Sequence, residues 1–177
     1  IGQNFLRRQK TLILLFTYQK VCKELIMQKI VVTNTTKRKL ENWLDKLTKP
    51  NKKLDGMPIC PYINKFRKQI YIARTKDPEQ LANNFGDMKD IFKFEAVVGF
   101  GFWMGYDRMD ALITKLNKKL KKKDTICLMM HPKGESNVLP VDYQFELPLI
   151  IIQRASTLKK AQEELKTKTK YYKHYKY

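Results

Sequence analysis

The feature that most constrains the fold is the alternation of short apolar runs with amphipathic helical segments after residue 60. The apolar runs predict strands at about 69–73, 94–103, 126–130 and 149–153, and the segments between them space apolar residues by three and four. Such alternation favours right-handed crossovers and parallel pairing. We therefore expect an α/β fold: a single domain with about four strands in a mostly parallel or mixed sheet, flanked by helices.

Local signals place several element boundaries. Asp77-Pro78-Glu79-Gln80 combines an N-cap Asp, a Pro at the first helical position and a Gln for a capping box. Further caps are predicted at Thr36, Asp107 and Ser156. The run from Ile126 to Met130 is nearly all apolar, which predicts a central strand.

Changes in composition divide the chain into three parts. Residues 1–35 form a basic N-terminal extension, predicted to be a weakly docked helix, with Met27 as an alternative start of the protein. Residues 36–165 form the α/β domain. Residues 166–177 form a tail rich in Lys and Tyr, predicted to be surface-bound or disordered.

The charge of the chain admits two interpretations. The formal net charge is +19, and the excess lies before residue 40 and after residue 112. It indicates either a contact surface for nucleic acid or an acidic protein, or the lysine-rich codon usage of an AT-rich genome. The candidate surface is the lysine face of the helix after Asp107, with Lys118, Lys119 and Lys122 as its contact residues, together with the tail.

The number and spacing of the cysteines limit which cysteine-based sites the chain can form and indicate its cellular compartment. The three cysteines, Cys22, Cys60 and Cys127, are widely spaced and form no C-x-x-C pair. This argues against a disulfide framework or a zinc knuckle and indicates a reducing compartment, so we expect a cytoplasmic protein without a metal or cofactor. No apolar run reaches the roughly 18–20 residues of a membrane span, so no membrane partner is expected.

Ligands of open α/β sheets bind beyond the carboxyl ends of the strands. Arg74, the segment from Trp103 to Tyr106, and His131 follow predicted strands, and Arg154 joins them if the last strand is parallel. Four residues are candidates for binding a small molecule: Arg74, Trp103, Tyr106 and Tyr143.

Cys60 precedes Pro61 at a predicted helix start, where backbone N–H groups favour a thiolate. In this interpretation Cys60 is a nucleophile or redox thiol, His131 an acid/base and Arg154 an anion anchor. Two alternatives stay open: Cys60 is a buried, inert thiol, or His131 only satisfies a strand end through its ring nitrogens.

The segment Gly99-Phe100-Gly101-Phe102-Trp103 admits several interpretations. It fails as a dinucleotide-binding loop because position 104 is Met and the aromatic side chains would block a pyrophosphate. It matches the centre of an RNA-recognition-motif strand in part, but not at the flanking positions. The third interpretation is a tightly packed strand whose glycines admit neighbouring bulk.

Several short motifs occur in a recognisable order: Cys60-Pro61-Tyr62, Asp77-Pro78-Glu79, His131-Pro132, Tyr143-Gln144-Phe145 and Arg154-Ala155-Ser156. In this order the chain resembles a bacterial and phage family built around a Cys-Pro-Phe-Ala motif, a domain of unknown function, over about residues 38–172. Tyr62-Ile63 replaces the family's Phe-Ala. The resemblance implies the fold and the location of the site, but no reaction.

The sequence therefore supports two hypotheses, and it leaves open whether the protein is an enzyme. The favoured one is a small α/β protein with a crevice for an anionic ligand or for thiol chemistry, built from Cys60, His131 and Arg154. The alternative is a non-enzymatic basic module that binds nucleic acid or an acidic protein.

Overall fold

The computed structural model describes residues 34–134 and 139–174, with side chains except at 34 and 89–92. Residues 1–33 of the predicted N-terminal extension, with Cys22 and Met27, lie outside the described residues. One compact unit spans Thr33–Tyr177 and is a single α/β domain.

Helices and strands follow one another much as the periodicity predicts. The helices are α1 (Asn34–Thr48), α2 (Ile63–Phe66), α3 (Pro78–Phe92), α4 (Tyr106–Leu120) and α5 (Ala155–Lys168). The strands are β1 (Ile70–Arg74), β2 (Ala96–Phe100), β3 (Thr125–Met130) and β4 (Leu149–Arg154). Short 3₁₀ turns lie at Lys52–Leu54, Arg67–Gln69, Lys121–Lys123 and Tyr171–His174.

The sheet is mixed, with the order β1-β2-β4-β3. β1 and β2 are parallel, whereas β4 runs antiparallel to both of its neighbours. β1, β2 and β3 therefore point the same way. We call the side where they end the carboxyl edge and the opposite side, where β4 ends, the amino edge.

The prediction that Ile126–Met130 is a central strand is wrong, because β3 lies at the end of the sheet and β4 takes the inner place. Leu149, Ile150 and Ile152 of β4 are fully buried, while Leu128 of β3 is 39% exposed. An apolar run thus does not distinguish a strand buried on both faces from an edge strand that leaves one face partly open.

One face of the sheet packs against α3 and α4. Its buried cluster includes Phe85, Met109, Leu116, Cys127, Ile150 and Ile152. A Cβ at Gly99 would lie 2.6 Å from Leu81 Cδ2 and 2.7 Å from Ile150 Cγ2. This confirms that β2 is a tightly packed strand whose glycine admits neighbouring bulk.

A second group of buried side chains joins α1, the loop before β4, and the region after α5. Trp43 packs against Phe145 with ring centroids 5.6 Å apart, and its Nε1 donates to the carbonyl of Tyr143 at 3.0 Å. Tyr171 is buried, and its hydroxyl donates to the carbonyl of Ile59. α5 runs to Lys168, and Tyr171 attaches the residues after it to the domain.

The predicted helix caps have mixed outcomes. Asp77 caps α3 as expected, with Oδ1 accepting from the N–H of Gln80 at 2.9 Å. α4 begins at Tyr106 after Gly105, so Asp107 lies in its first turn, and Thr36 lies inside α1. At α5 the cap comes from Asp124, whose carboxylate accepts from both the N–H and the hydroxyl of Ser156 at 2.7 Å.

Candidate functional site

The carboxyl edge brings together most of the residues predicted to bind a ligand. Arg74 ends β1, Trp103 lies in the loop after β2, and Tyr106 begins α4. His131 directly follows β3. Tyr143 belongs to the loop that enters β4 from this edge, and its carbonyl accepts from Trp43.

Both ring nitrogens of His131 have partners within the protein. The ring is buried; Nδ1 accepts from the N–H of Lys133 at 3.1 Å, and Nε2 lies 3.0 Å from the carbonyl oxygen of Met104. Because Nδ1 accepts, the hydrogen-bond network places the ring hydrogen on Nε2, which donates to Met104. The imidazole thus connects the loop after β2 to the end of β3. This agrees with the alternative in which His131 satisfies a strand end through its ring nitrogens.

Tyr106 packs against the same histidine. The two rings meet edge to face, with centroids 5.7 Å apart and an interplanar angle of 77°. A Cβ at Gly134 would lie 3.5 Å from Tyr106 Cε2 and 3.0 Å from the carbonyl oxygen of His131, so this corner is closely packed. His131 and Gly134 therefore hold Tyr106 in place.

Trp103 projects from the loop that His131 anchors. It is 80% exposed, whereas Trp43, the other tryptophan, is 6% exposed. The loop begins at Gly101, which has a φ of +91°, and a Cβ there would lie 2.7 Å from Arg74 Cγ. Only glycine suits this position, since it allows the left-handed backbone and lets the Arg74 side chain cross it.

The aromatic residues before Trp103 point into the protein. Phe100 and Phe102 are 3% and 8% exposed. An RNA recognition motif stacks bases on aromatic side chains of its sheet surface, and these two rings are not available for that. The RNA-recognition-motif interpretation of this strand is therefore wrong.

Cys60 lies in the turn before α2. Its N–H donates to the carbonyl of Leu47 at 2.8 Å. Burial raises the pKa of the Cys60 thiol, and hydrogen bonds from the backbone of Tyr62 and Ile63 lower it by less. The backbone groups expected at a helix start are thus present, but desolvation outweighs them and the thiol stays protonated at neutral pH. The helix itself begins at Ile63, not at Pro61.

Arg154 lies at the amino edge. It pairs in register with Thr125, and its Nε is 3.7 Å from Glu95 Oε1. The expectation that Arg154 shares an edge with His131 required a parallel last strand and is wrong, because β4 is antiparallel. The length of β3, about 17 Å, separates the two positions. Arg154 and His131 therefore do not share one crevice. The role of Cys60 as a nucleophile or redox thiol stays a prediction.

The amino edge carries the lysine cluster, which we define as Lys118, Lys119, Lys121, Lys122 and Lys123. All five side chains are exposed. Lys123 donates to Asp87 at 2.5 Å. Among the described residues, no ion pair involves the other four.

The acidic groups near the lysine cluster have other partners. Asp124 caps α5 through Ser156, and Glu95 accepts from the hydroxyl of Thr157 at 2.9 Å and faces Arg154. Asp124 accepts only from neutral groups of Ser156 and stays charged, so Asp124 and Asp87 offset part of the charge of the five lysines and a net positive charge remains. Its position at the end of α4 also suits lysines, since the helix dipole places partial negative charge there.

Two kinds of feature are absent from the described part of the chain. No group of three or more His, Cys, Asp or Glu side chains there is arranged to hold a metal ion. No helix there has the length and apolar character needed to cross a membrane.

Comparison of the chain with protein-family models, curated proteins and solved structures found no match. The resemblance to the Cys-Pro-Phe-Ala motif family stays a prediction.

Proposed function

We propose that the domain is a non-enzymatic module that binds nucleic acid, and that the lysine cluster is its electrostatic contact. The observation that carries the proposal is the exposed charge of Lys118, Lys119, Lys121 and Lys122 at one helix end, none of which forms an ion pair with a described residue. Lysine is a point charge without the fork geometry that reads base edges. We therefore expect binding without sequence preference.

The lysine cluster lies at the end of a well-packed helix, which favours a binding role over a merely solvated surface. Met109, Ile113, Leu116 and Leu120 are buried on the opposite side of α4. Lys115 on the exposed side donates to Glu79 of α3 at 2.9 Å and joins the two helices. The backbone positions of the lysines after it thus keep a fixed spacing, so phosphate binding orders the lysine side chains but not the backbone that carries them.

The salt dependence of binding tests this proposal. Labelled single-stranded and double-stranded oligonucleotides would be titrated by fluorescence anisotropy with the wild type and with the triple variant K118Q/K119Q/K122Q. Each lost phosphate contact lowers the slope of log K against log salt by about 0.7–0.9, so we expect the slope to fall by about 2. The matched control is K46Q/K49Q/K53Q, which removes three exposed lysines beside the end of α1 and should leave the slope unchanged.

Two results would overturn the proposal. One is a wild-type affinity that does not change with salt, and the other is equal loss of affinity in the triple variant and its control. Tighter binding of poly-glutamate than of the oligonucleotides at the same salt would instead assign the cluster to an acidic protein.

A further inference from the structure

We propose that Trp103 is a base-stacking platform and that the module prefers single-stranded nucleic acid. This inference rests on the proposed function and specifies its ligand. Tryptophan is highly buried on average, yet Trp103 exposes 80% of its side chain while Trp43 exposes 6%. A large flat ring in water gains the most by covering its faces with another flat apolar surface.

The ring stands on a loop that is fixed before any ligand arrives. The carbonyl of Met104, the next residue, accepts from His131, and α4 begins at Tyr106. The loop starts at Gly101, beneath the Arg74 side chain. Fixing at both ends pre-organises Trp103, which lowers the entropy cost of stacking.

The charges around the ring are mixed and nearly balanced. Exposed basic side chains at the carboxyl edge are those of Arg74, Lys76, Arg108 and Lys133, and exposed acidic ones are those of Asp77, Asp107, Asp110 and Asp142. Asp77 is engaged in capping α3. Base stacking on Trp103 therefore supplies most of the contact at this edge, and the basic side chains are available to phosphates of the same strand.

One helix connects this ring to the lysine cluster. α4 begins three residues after Trp103 and ends at the cluster, and its 15 residues span about 22 Å. A flexible single strand that spans this length stacks a base on Trp103 at one end of α4 and places phosphates against the lysine cluster at the other end. A duplex keeps the faces of its bases stacked inside, so only the lysine cluster contacts it. Trp103 therefore produces the preference for single strands.

Binding of an oligothymidylate of about 12 nucleotides and of a duplex of equal length, measured by anisotropy with W103A, tests the inference. One lost stacking contact of about 1–3 kcal/mol corresponds to a loss of roughly 5- to 150-fold in single-strand affinity. We expect that loss, with an unchanged salt slope and unchanged duplex affinity, and partial recovery in W103F. The matched control is L128A, which removes another exposed apolar side chain and should bind both ligands like the wild type.

Tryptophan emission gives an independent measurement. In W43F the remaining tryptophan is Trp103, and its emission should be quenched by the oligothymidylate at salt concentrations where binding is retained. If W43F is poorly folded, the same titration is carried out with the wild type, in which Trp43 is buried and Trp103 is the exposed tryptophan.

Equal single-strand affinity of W103A and the wild type would overturn the platform while leaving the lysine contact in place. Quenching of Trp103 by poly-glutamate but not by the oligonucleotide would assign the ring to a protein partner. Failure of the proposed function is distinguishable, because then neither nucleic acid binds with a salt-dependent affinity.

Discussion

The role of a single residue in this domain depends on the balance between burial and local hydrogen bonds. Cys60 accepts from the two backbone groups expected at a helix start, yet burial keeps its pKa raised. His131 places both ring nitrogens in structural contacts. In both cases the residue type suggests a catalytic role, while the observed contacts of the side chain are with the backbone of the protein itself.

The Cys60 thiol should therefore react slowly while the protein is folded. In a C22S background, we expect iodoacetamide near pH 8 to alkylate Cys60 much more slowly in buffer than in denaturant, because only the thiolate reacts and burial disfavours it. Mass spectrometry of the digested protein measures the rate, with C60A identifying the peptide. Alkylation in buffer at the rate seen in denaturant would show that burial does not protect the thiol, and faster alkylation in buffer would restore an activated thiol.

At the scale of the elements, close approach and capping depend on partners distant in sequence. Asp124 has a left-handed backbone with φ of 49° and bonds to Ser156, 32 residues later. Ser156 was the residue expected to cap α5, and it instead receives the cap. Gly99 allows Leu81 of α3 to reach the sheet beside Ile150. These contacts set how closely the helices lie on β2 and β4.

Substitution of Gly99 by Ala should destabilise the domain. The new Cβ meets Leu81 Cδ2 at 2.6 Å and Ile150 Cγ2 at 2.7 Å, and overpacking of this kind costs about 1–3 kcal/mol. Urea denaturation followed by circular dichroism measures the loss. G105A is the matched control, because a Cβ there has no neighbour within 4 Å and should change the free energy of unfolding by less than about 0.5 kcal/mol. Equal effects of the two substitutions would contradict this packing.

At the scale of the whole molecule, the direction of β4 determines which residues can act together. Since β4 is antiparallel and lies between β2 and β3, Arg154 leaves the sheet at the amino edge while His131 lies at the carboxyl edge. The same topology places Trp103 and the lysine cluster at opposite ends of α4. The domain is therefore organised as two edges connected by one helix.

Cys127, fully buried beneath α3 and α4, makes the stability of the whole domain sensitive to alkaline pH. Burial raises the pKa of its thiol to about 12 from 9.0. The folded state thus keeps a proton that the unfolded state loses, so this contribution is complete below pH 9 and is lost as pH rises toward 12. At 1.36 kcal/mol per pKa unit it amounts to at most about 4 kcal/mol.

The variant C127V should lose less stability than the wild type between pH 9 and pH 11. Urea denaturation at several pH values measures the free energy of unfolding of each protein, with pH 7 as the reference at which the thiol is protonated in both states. Parallel curves for the two proteins would show that Cys127 does not contribute.

Much of the fold follows from local signals. The spacing of Leu40, Trp43, Leu44 and Leu47 predicts the buried face of α1, and all four are buried. Asp77 and Pro78 predict the start of α3 because a cap acts within one turn. The candidate site was predictable only in part: the strand ends indicate Arg74, Trp103 and His131, but no local pattern indicates that Trp103 is exposed while Phe102 is buried.

Periodicity and capping depend on neighbours along the chain, so the elements and the α/β class follow from the sequence. The antiparallel direction of β4, the edge position of β3 and the separation of Arg154 from His131 arise from packing between distant segments. Apolar residues at strand spacing favour burial against any suitable face, so they do not specify which strand is adjacent or in which direction it runs. That choice depends on how all the faces of the domain pack together.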